Sequence, residues 1–139
     1  MKPTILFLCP HSATKSVLAA AYCQRLAAEY GLDLEASFAG TEPDEQIAPA
    51  VANLLQAEGI DVSHYSPRLV TREALAAAWR VISLGCEVSH LVPPETSLES
   101  WNDIPPPSQA LPEARELIYA RVEQLVGELL TVSQGSQSL

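Results

Sequence analysis

An α/β architecture built on a parallel sheet is the fold class this sequence predicts, and three observations carry it. Short apolar runs alternate along the chain with segments whose apolar residues recur at intervals of three and four. The first run, Thr4-Ile-Leu-Phe-Leu8, is apolar throughout rather than alternating, as a strand covered on both faces must be. The breaks between segments carry Gly, Pro or clusters of small polar residues. Strands alternating with helices call for a doubly wound sheet with right-handed crossovers.

From Ser16 to Tyr30 the spacing of Val17, Leu18, Ala21, Tyr22, Arg25, Leu26 and Tyr30 predicts a helix, with Gly31 as its stop. Leu34 to Ala39 alternates and reads as the second strand, broken by Gly40-Thr-Glu-Pro-Asp44. A second helix is expected over Ala48 to Glu58, burying Val51, Leu54 and Leu55 and ending at Gly59. Thr71 caps a short helix that runs to Trp79. Arg80 to Leu84 is another apolar strand, ended by Gly85. Residues 87–108 hold five prolines and one short strand near Leu98 to Trp101. The longest helix is expected from Pro112 to Val132, with proline in its first position and Leu117, Ile118, Val122, Leu125, Val126 and Leu129 as the buried stripe.

The 139 residues suit one domain, expected over residues 1–132, with 133–139 as a flexible tail. Eight Lys and Arg against seventeen Asp and Glu give a net charge of −9. That charge opposes nucleic acid and anionic membranes as partners. No stretch reaches the roughly 18 apolar residues of a membrane span. Three cysteines without framework spacing read as reduced thiols, so the expected localisation is cytoplasmic. No His, Cys, Asp or Glu group has zinc-like spacing, and no bound cofactor or metal is expected.

The chemistry concentrates in the loop after the first strand, Cys9-Pro-His-Ser-Ala-Thr-Lys-Ser16. In open parallel sheets ligands sit at the carboxyl ends of the strands. Six consecutive N–H groups, from His11 to Ser16, curve into a helix N-terminus and make an anion cradle. Cys9 on its floor is expected to sit as a thiolate, Lys15 adds a positive charge at the rim, and Ser16 can donate its hydroxyl to the sulfur. The oxyanion-binding residues are therefore Pro10, His11, Ser12, Ala13, Thr14, Lys15 and Ser16. A cysteine closing a buried strand is also a common core residue, so placement between strand and helix is what tips the reading toward a site.

The stretch Ile5 to Ala21 resembles the low-molecular-weight protein tyrosine phosphatase superfamily, whose loop reads Cys-x5-Arg-Ser between first strand and first helix. Phe38-Ala-Gly-Thr-Glu-Pro43, Glu58-Gly-Ile-Asp-Val-Ser63 with Pro67, Arg80 to Cys86 and Trp101 to Pro107 resemble its arsenate reductase branch, in order along the chain. The resemblance implies a three-layer fold with a four-stranded parallel sheet flanked by helices. It implies Cys9 as the nucleophile toward arsenate or a phosphoryl group, Ser16 as the loop serine, and Cys86 as the resolving thiol. Three departures stand out. The loop arginine is Lys15, the loop asparagine is Ser12, and the Asp-Pro general acid is Pro106-Pro107, leaving Asp103 as the nearby carboxylate.

Three functions follow as expectations. The first is a thiol-dependent arsenate reductase with Cys9, Lys15, Ser16 and Cys86, served by a thioredoxin- or glutaredoxin-type reductant or a small external thiol. The second is a phosphatase acting on phosphotyrosine or aryl phosphates, with Asp103 as acid. The third is an anion-binding homologue that has lost catalysis. Arsenate chemistry does not need the strong general acid that expulsion of an alkoxide needs, which favours the first. Cys86 reads equally as a core thiol, Cys23 as core, and Trp101 as a cleft wall or as packing. Arg68 and Arg72 sit either at the mouth or on solvated surface, and nothing in the spacing of His11 or His90 separates a proton shuttle from a solvated side chain.

Overall fold

The computed structural model describes residues 2–86 and 88–137. Its elements are β1 (Thr4–Leu8), α1 (Lys15–Glu29), β2 (Glu35–Ala39), α2 (Pro49–Ala57), α3 (Arg72–Ala77), β3 (Arg80–Ser83), β4 (Ser97–Ser100) and α4 (Pro107–Gln137). The four strands form one sheet in the order β2-β1-β3-β4, and every pairing is parallel.

Strand β1 lies inside the sheet, and its side chains alternate between two cores. Ile5 and Phe7 join α1, α2 and α4 on one face, whereas Leu6 and Leu8 meet Leu75 and Ala78 of the α3 segment and Val81 on the other. Helices on both faces explain why this strand carries no polar residue beyond Thr4, and the predicted three-layer class is the one found. Thr71 caps α3 as expected, its Oγ1 accepting from the Ala74 N–H at 3.0 Å.

The differences in detail have physical causes. Leu54 and Leu117 are half-buried, because each helix turns only a narrow stripe inward: Val51 and Leu55 on α2, and Ala114, Ile118, Val122, Leu125, Val126 and Leu129 on α4. Helix α4 starts earlier than expected, at Pro107, and breaks at Ala110 (φ −145°, ψ 60°), two residues before Pro112, whose ring excludes the preceding turn from regular geometry. It also continues to Gln137, through residues expected to belong to a tail; residues 138–139 lie outside the described ones.

Candidate active site

Pairing in β1 brings Leu8 level with Ala39 on one side and Ser83 on the other, so three chain segments leave the sheet side by side at its carboxyl edge. The middle one is the loop 9–14, which rises directly into α1. Three of its carbonyls are taken up by the segment that follows β2. Those of Pro10, His11 and Ala13 accept the N–H groups of Glu42, Asp44 and Ala48 at 2.7, 2.9 and 3.1 Å. The N–H groups of His11, Ser12, Ala13 and Thr14 are left without an acceptor among the described residues, which is the condition of an anion nest. Pro10 has no N–H, so of the predicted cradle residues it alone can donate nothing; its contribution is the carbonyl that ties the loop to Glu42.

Ser12 turns the loop with a φ of 54°, a left-handed conformation that costs free energy in a non-glycine residue. Its buried hydroxyl accepts the Arg68 N–H at 3.2 Å and pins the turn. Gly40 closes the back of the loop. A Cβ there would lie 2.6 Å from the carbonyl oxygens of Cys9 and Pro10 and 2.7 Å from the Ser12 nitrogen, so only glycine permits this approach. Gly40 in turn bridges to the 68–70 segment, donating to Arg68 O and accepting from Val70 N, both at 2.9 Å.

Cys9 sits on the floor of this cradle, 1% exposed. Its Sγ lies 3.0 Å from Ser16 Oγ and accepts the Ser16 N–H at 3.4 Å. Lys15 opens α1 half-buried, and its Nζ reaches across the rim to lie 3.4 Å from where a Cβ on Gly85 would stand. Thr14, which caps α1, makes no side-chain capping bond, so the helix N-terminus adds its positive end to the cradle.

Cys86 stands in the turn beyond β3. Register places Leu84 beside Cys9, and Cys86 two residues further, which by chain reach puts it within roughly 12 Å of Cys9, Cα to Cα. The Cys86 N–H donates to Ser83 Oγ at 3.4 Å, the same hydroxyl donates to the Cys86 carbonyl, and it lies 3.7 Å from the Cys86 sulfur. Cys86 borders a hollow of about 360 Å³ shared with Gly85, Val88, Leu98, Ser100 and Asn102.

Residues 4–135 match the family model described as low molecular weight phosphotyrosine protein phosphatase. The chain belongs to that family. A Halobacterium salinarum protein provisionally named arsenate reductase is 27% identical over 125 residues, covering 88% of this chain and 87% of that one. The thioredoxin-dependent arsenate reductase of Corynebacterium glutamicum superposes with a TM-score of 0.81 at 27% identity, over 94% of this chain and 63% of its own. This chain thus spans less than two thirds of that protein. The arsenate reductase of Archaeoglobus fulgidus gives 0.72 at 26% identity, over 88% of this chain and 98% of its own.

Within this phosphatase-family frame the remaining predicted residues divide. Asp103 pairs with Arg121 of α4 at 2.5 Å, and no contact brings it to Cys9. Trp101 is 2% exposed, packs on Phe7 with ring centroids 6.0 Å apart and gives its N–H to Glu99, so it is core rather than cleft wall. Cys23 is buried too, and burial pushes its thiol up to about 12, which keeps it protonated and inert. His11 turns away toward the Glu42 carbonyl at 3.1 Å and the Asp44 carboxylate at 3.4 Å. Arg68 serves the site through its backbone, with its guanidinium over the Phe38 ring; Arg72 and His90 are exposed. Gly40 was expected only to break the second strand and Ser83 only to belong to the third apolar one, neither as part of the site. For Gly40 the signal was a glycine directly after a strand, which local reasoning assigns to a turn. Ser83 looked like one more strand residue.

Among the described residues no group of three or more His, Cys, Asp or Glu side chains could hold a metal ion. Among the described residues no helix is long and apolar enough to cross a membrane.

Proposed function

We propose that this protein is a thiol-dependent arsenate reductase acting through Cys9. The observation that carries the reading is the buried Cys9 sulfur, hydrogen-bonded by Ser16, on the floor of a loop whose four successive N–H groups lack protein acceptors. Arsenic relatives at 26–27% identity support the choice within the family.

Arsenate enters with its oxygens toward the N–H groups of residues 11–14 and the Lys15 ammonium. The Cys9 thiolate attacks arsenic, an S–As bond forms, and one oxygen leaves as water with a solvent proton. Ser16 donates its hydroxyl to the sulfur and holds it in line. The Cys86 thiolate then attacks the Cys9 sulfur. An S–S bond forms, the S–As bond breaks, and its electron pair leaves with arsenic, which departs as arsenite. Two external thiols, from a thioredoxin- or glutaredoxin-type protein or a small-molecule thiol in the cytoplasm, reduce the disulfide and become oxidised themselves.

No step here needs the Asp-Pro acid the chain lacks. A phosphatase acting on aryl phosphates is the second reading, favoured by the family match and by a cradle that suits any tetrahedral dianion. It would need a proton donor for the leaving group, and Asp103 is held by Arg121. The test is turnover of arsenate and of 4-nitrophenyl phosphate by wild type, Cys9→Ser and Cys86→Ser with thioredoxin, glutaredoxin and a small thiol as reductants. Arsenate turnover should fall by more than about a thousandfold in Cys9→Ser and be lost or made dependent on small thiols in Cys86→Ser. Phosphatase activity with no arsenate turnover would overturn the first reading.

A further inference from the structure

We propose that Lys15 serves both sulfurs: its ammonium holds the oxyanion while the cradle is filled, and stabilises the Cys86 thiolate across the Gly85 turn when the cradle is empty. The proposal rests on the roles of Cys9 and Cys86 given above and adds the coupling between them.

Three observations converge. First, the Lys15 Nζ lies against Gly85, across the sheet edge from its own loop's strand, 3.4 Å from the position of an absent Cβ. Gly85 has a φ of +88°, so the turn is built around a residue that both takes this conformation and leaves space for the ammonium. Second, Lys15 makes no ion pair or hydrogen bond among the described residues, although it is half-buried in a chain of net charge −9. A cation left unpaired among so many carboxylates is aimed at an anion of another kind. Third, the residue after Gly85 is Cys86, bonded at that turn to Ser83 through its N–H and its carbonyl, and the residue borders an open hollow.

The residue type fits this double duty. An arginine fork commits to one tetrahedral anion in a bidentate grip, whereas lysine is a compact charge on a flexible stem with three rotatable donors. Substituting lysine in the loop gives up grip on the oxyanion and gains reach to the second thiol. The order of events then regulates itself. While arsenate draws Lys15 into the cradle, Cys86 is less nucleophilic. Once the S–As adduct has lost an oxygen and part of its hold on Lys15, the ammonium returns and Cys86 attacks the Cys9 sulfur, expelling arsenite with the electron pair.

The experiment needs no turnover. Reduced full-length protein is treated with iodoacetamide, a neutral alkylant, at pH 7.5, and initial rates at Cys9 and Cys86 are read separately by peptide mass spectrometry, with and without inorganic phosphate. Lys15→Met should slow Cys86 alkylation about tenfold. In wild type, phosphate that protects Cys9 should also slow Cys86 by several-fold. An unchanged Cys86 rate in folded Lys15→Met, or an unchanged wild-type Cys86 rate while Cys9 is protected, overturns the sharing alone. Phosphate that fails to protect Cys9 overturns the cradle itself. The wild-type arm decides the matter should Lys15→Met not fold.

Discussion

The loop after β1 and the turn after β3 each set a cysteine at the carboxyl end of a parallel strand, and the protein holds them in opposite ways. Loop 9–16 is clamped from outside itself, by Glu42, Asp44 and Ala48 on its carbonyls, by Gly40 behind it and by the Arg68 N–H on Ser12. The Cys86 turn is tied to its own strand through the Ser83 hydroxyl, which meets both the Cys86 N–H and its carbonyl. Cys9 is sealed and Cys86 is half-buried beside a hollow. In the reaction proposed above, the sulfur that meets a small anion in fixed geometry is anchored by distant segments, and the sulfur that travels to it stands beside open space.

That contrast can be broken most forcefully at Gly40. Gly40→Ala places a Cβ 2.6 Å from two loop carbonyls, so the cradle must shift. Arsenate turnover should fall by about 10²-fold or more, with phosphate protection of Cys9 weakened in parallel. Retention of wild-type rates would mean that the loop is not held from behind.

The third thiol calibrates the other two. Cys23 shares α1 with the cradle but lies in the core, and burial holds its proton up to about 12, against 9.0 for an unhindered thiol. The folded chain therefore keeps a proton that the unfolded chain gives up. The contribution is complete below pH 9 and is lost as pH rises toward 12, at about 1 kcal/mol per pH unit. Urea unfolding between pH 8 and 11 should show that decline on top of the one from the Tyr22 and Tyr65 phenols, which burial also pushes up, and Cys23→Ala should make it shallower. An identical slope in the variant would exclude Cys23 as a source of it.

The smallest effect is expected at Asp103. Its partner is Arg121, in an ion pair whose carboxylate side is more than half exposed. Asp103→Asn should change arsenate turnover by less than about twofold and stability by under about 1 kcal/mol. A drop of tenfold or more in phosphatase activity would instead make Asp103 the missing acid and favour the second reading.

Much of the cradle was legible because it is local. A buried strand, a polar turn containing Cys9, Lys15 and Ser16, and the start of a helix are contiguous in sequence, and the anion nest follows from their order. The predicted helix limits were near the observed ones where Gly31, Gly59 and Thr71 mark them. The extension of α4 to Gln137 was not legible, since the polar residues after Val132 offer no apolar stripe.

Sequence alone determined the parallel α/β class and put Cys9 in a polar loop between strand and helix, because hydrophobic periodicity and loop chemistry act over a few residues. Only the tertiary structure decided what Gly40, Ser12, Lys15 and Asp103 do. Gly40 meets Cys9 because β2 and β1 run in parallel register, Lys15 meets Gly85 because β3 lies on the other side of β1, and Asp103 meets Arg121 because α4 packs back across the sheet. Each contact joins residues far apart in the chain, and their closeness is a property of the packed sheet, which no local spacing encodes.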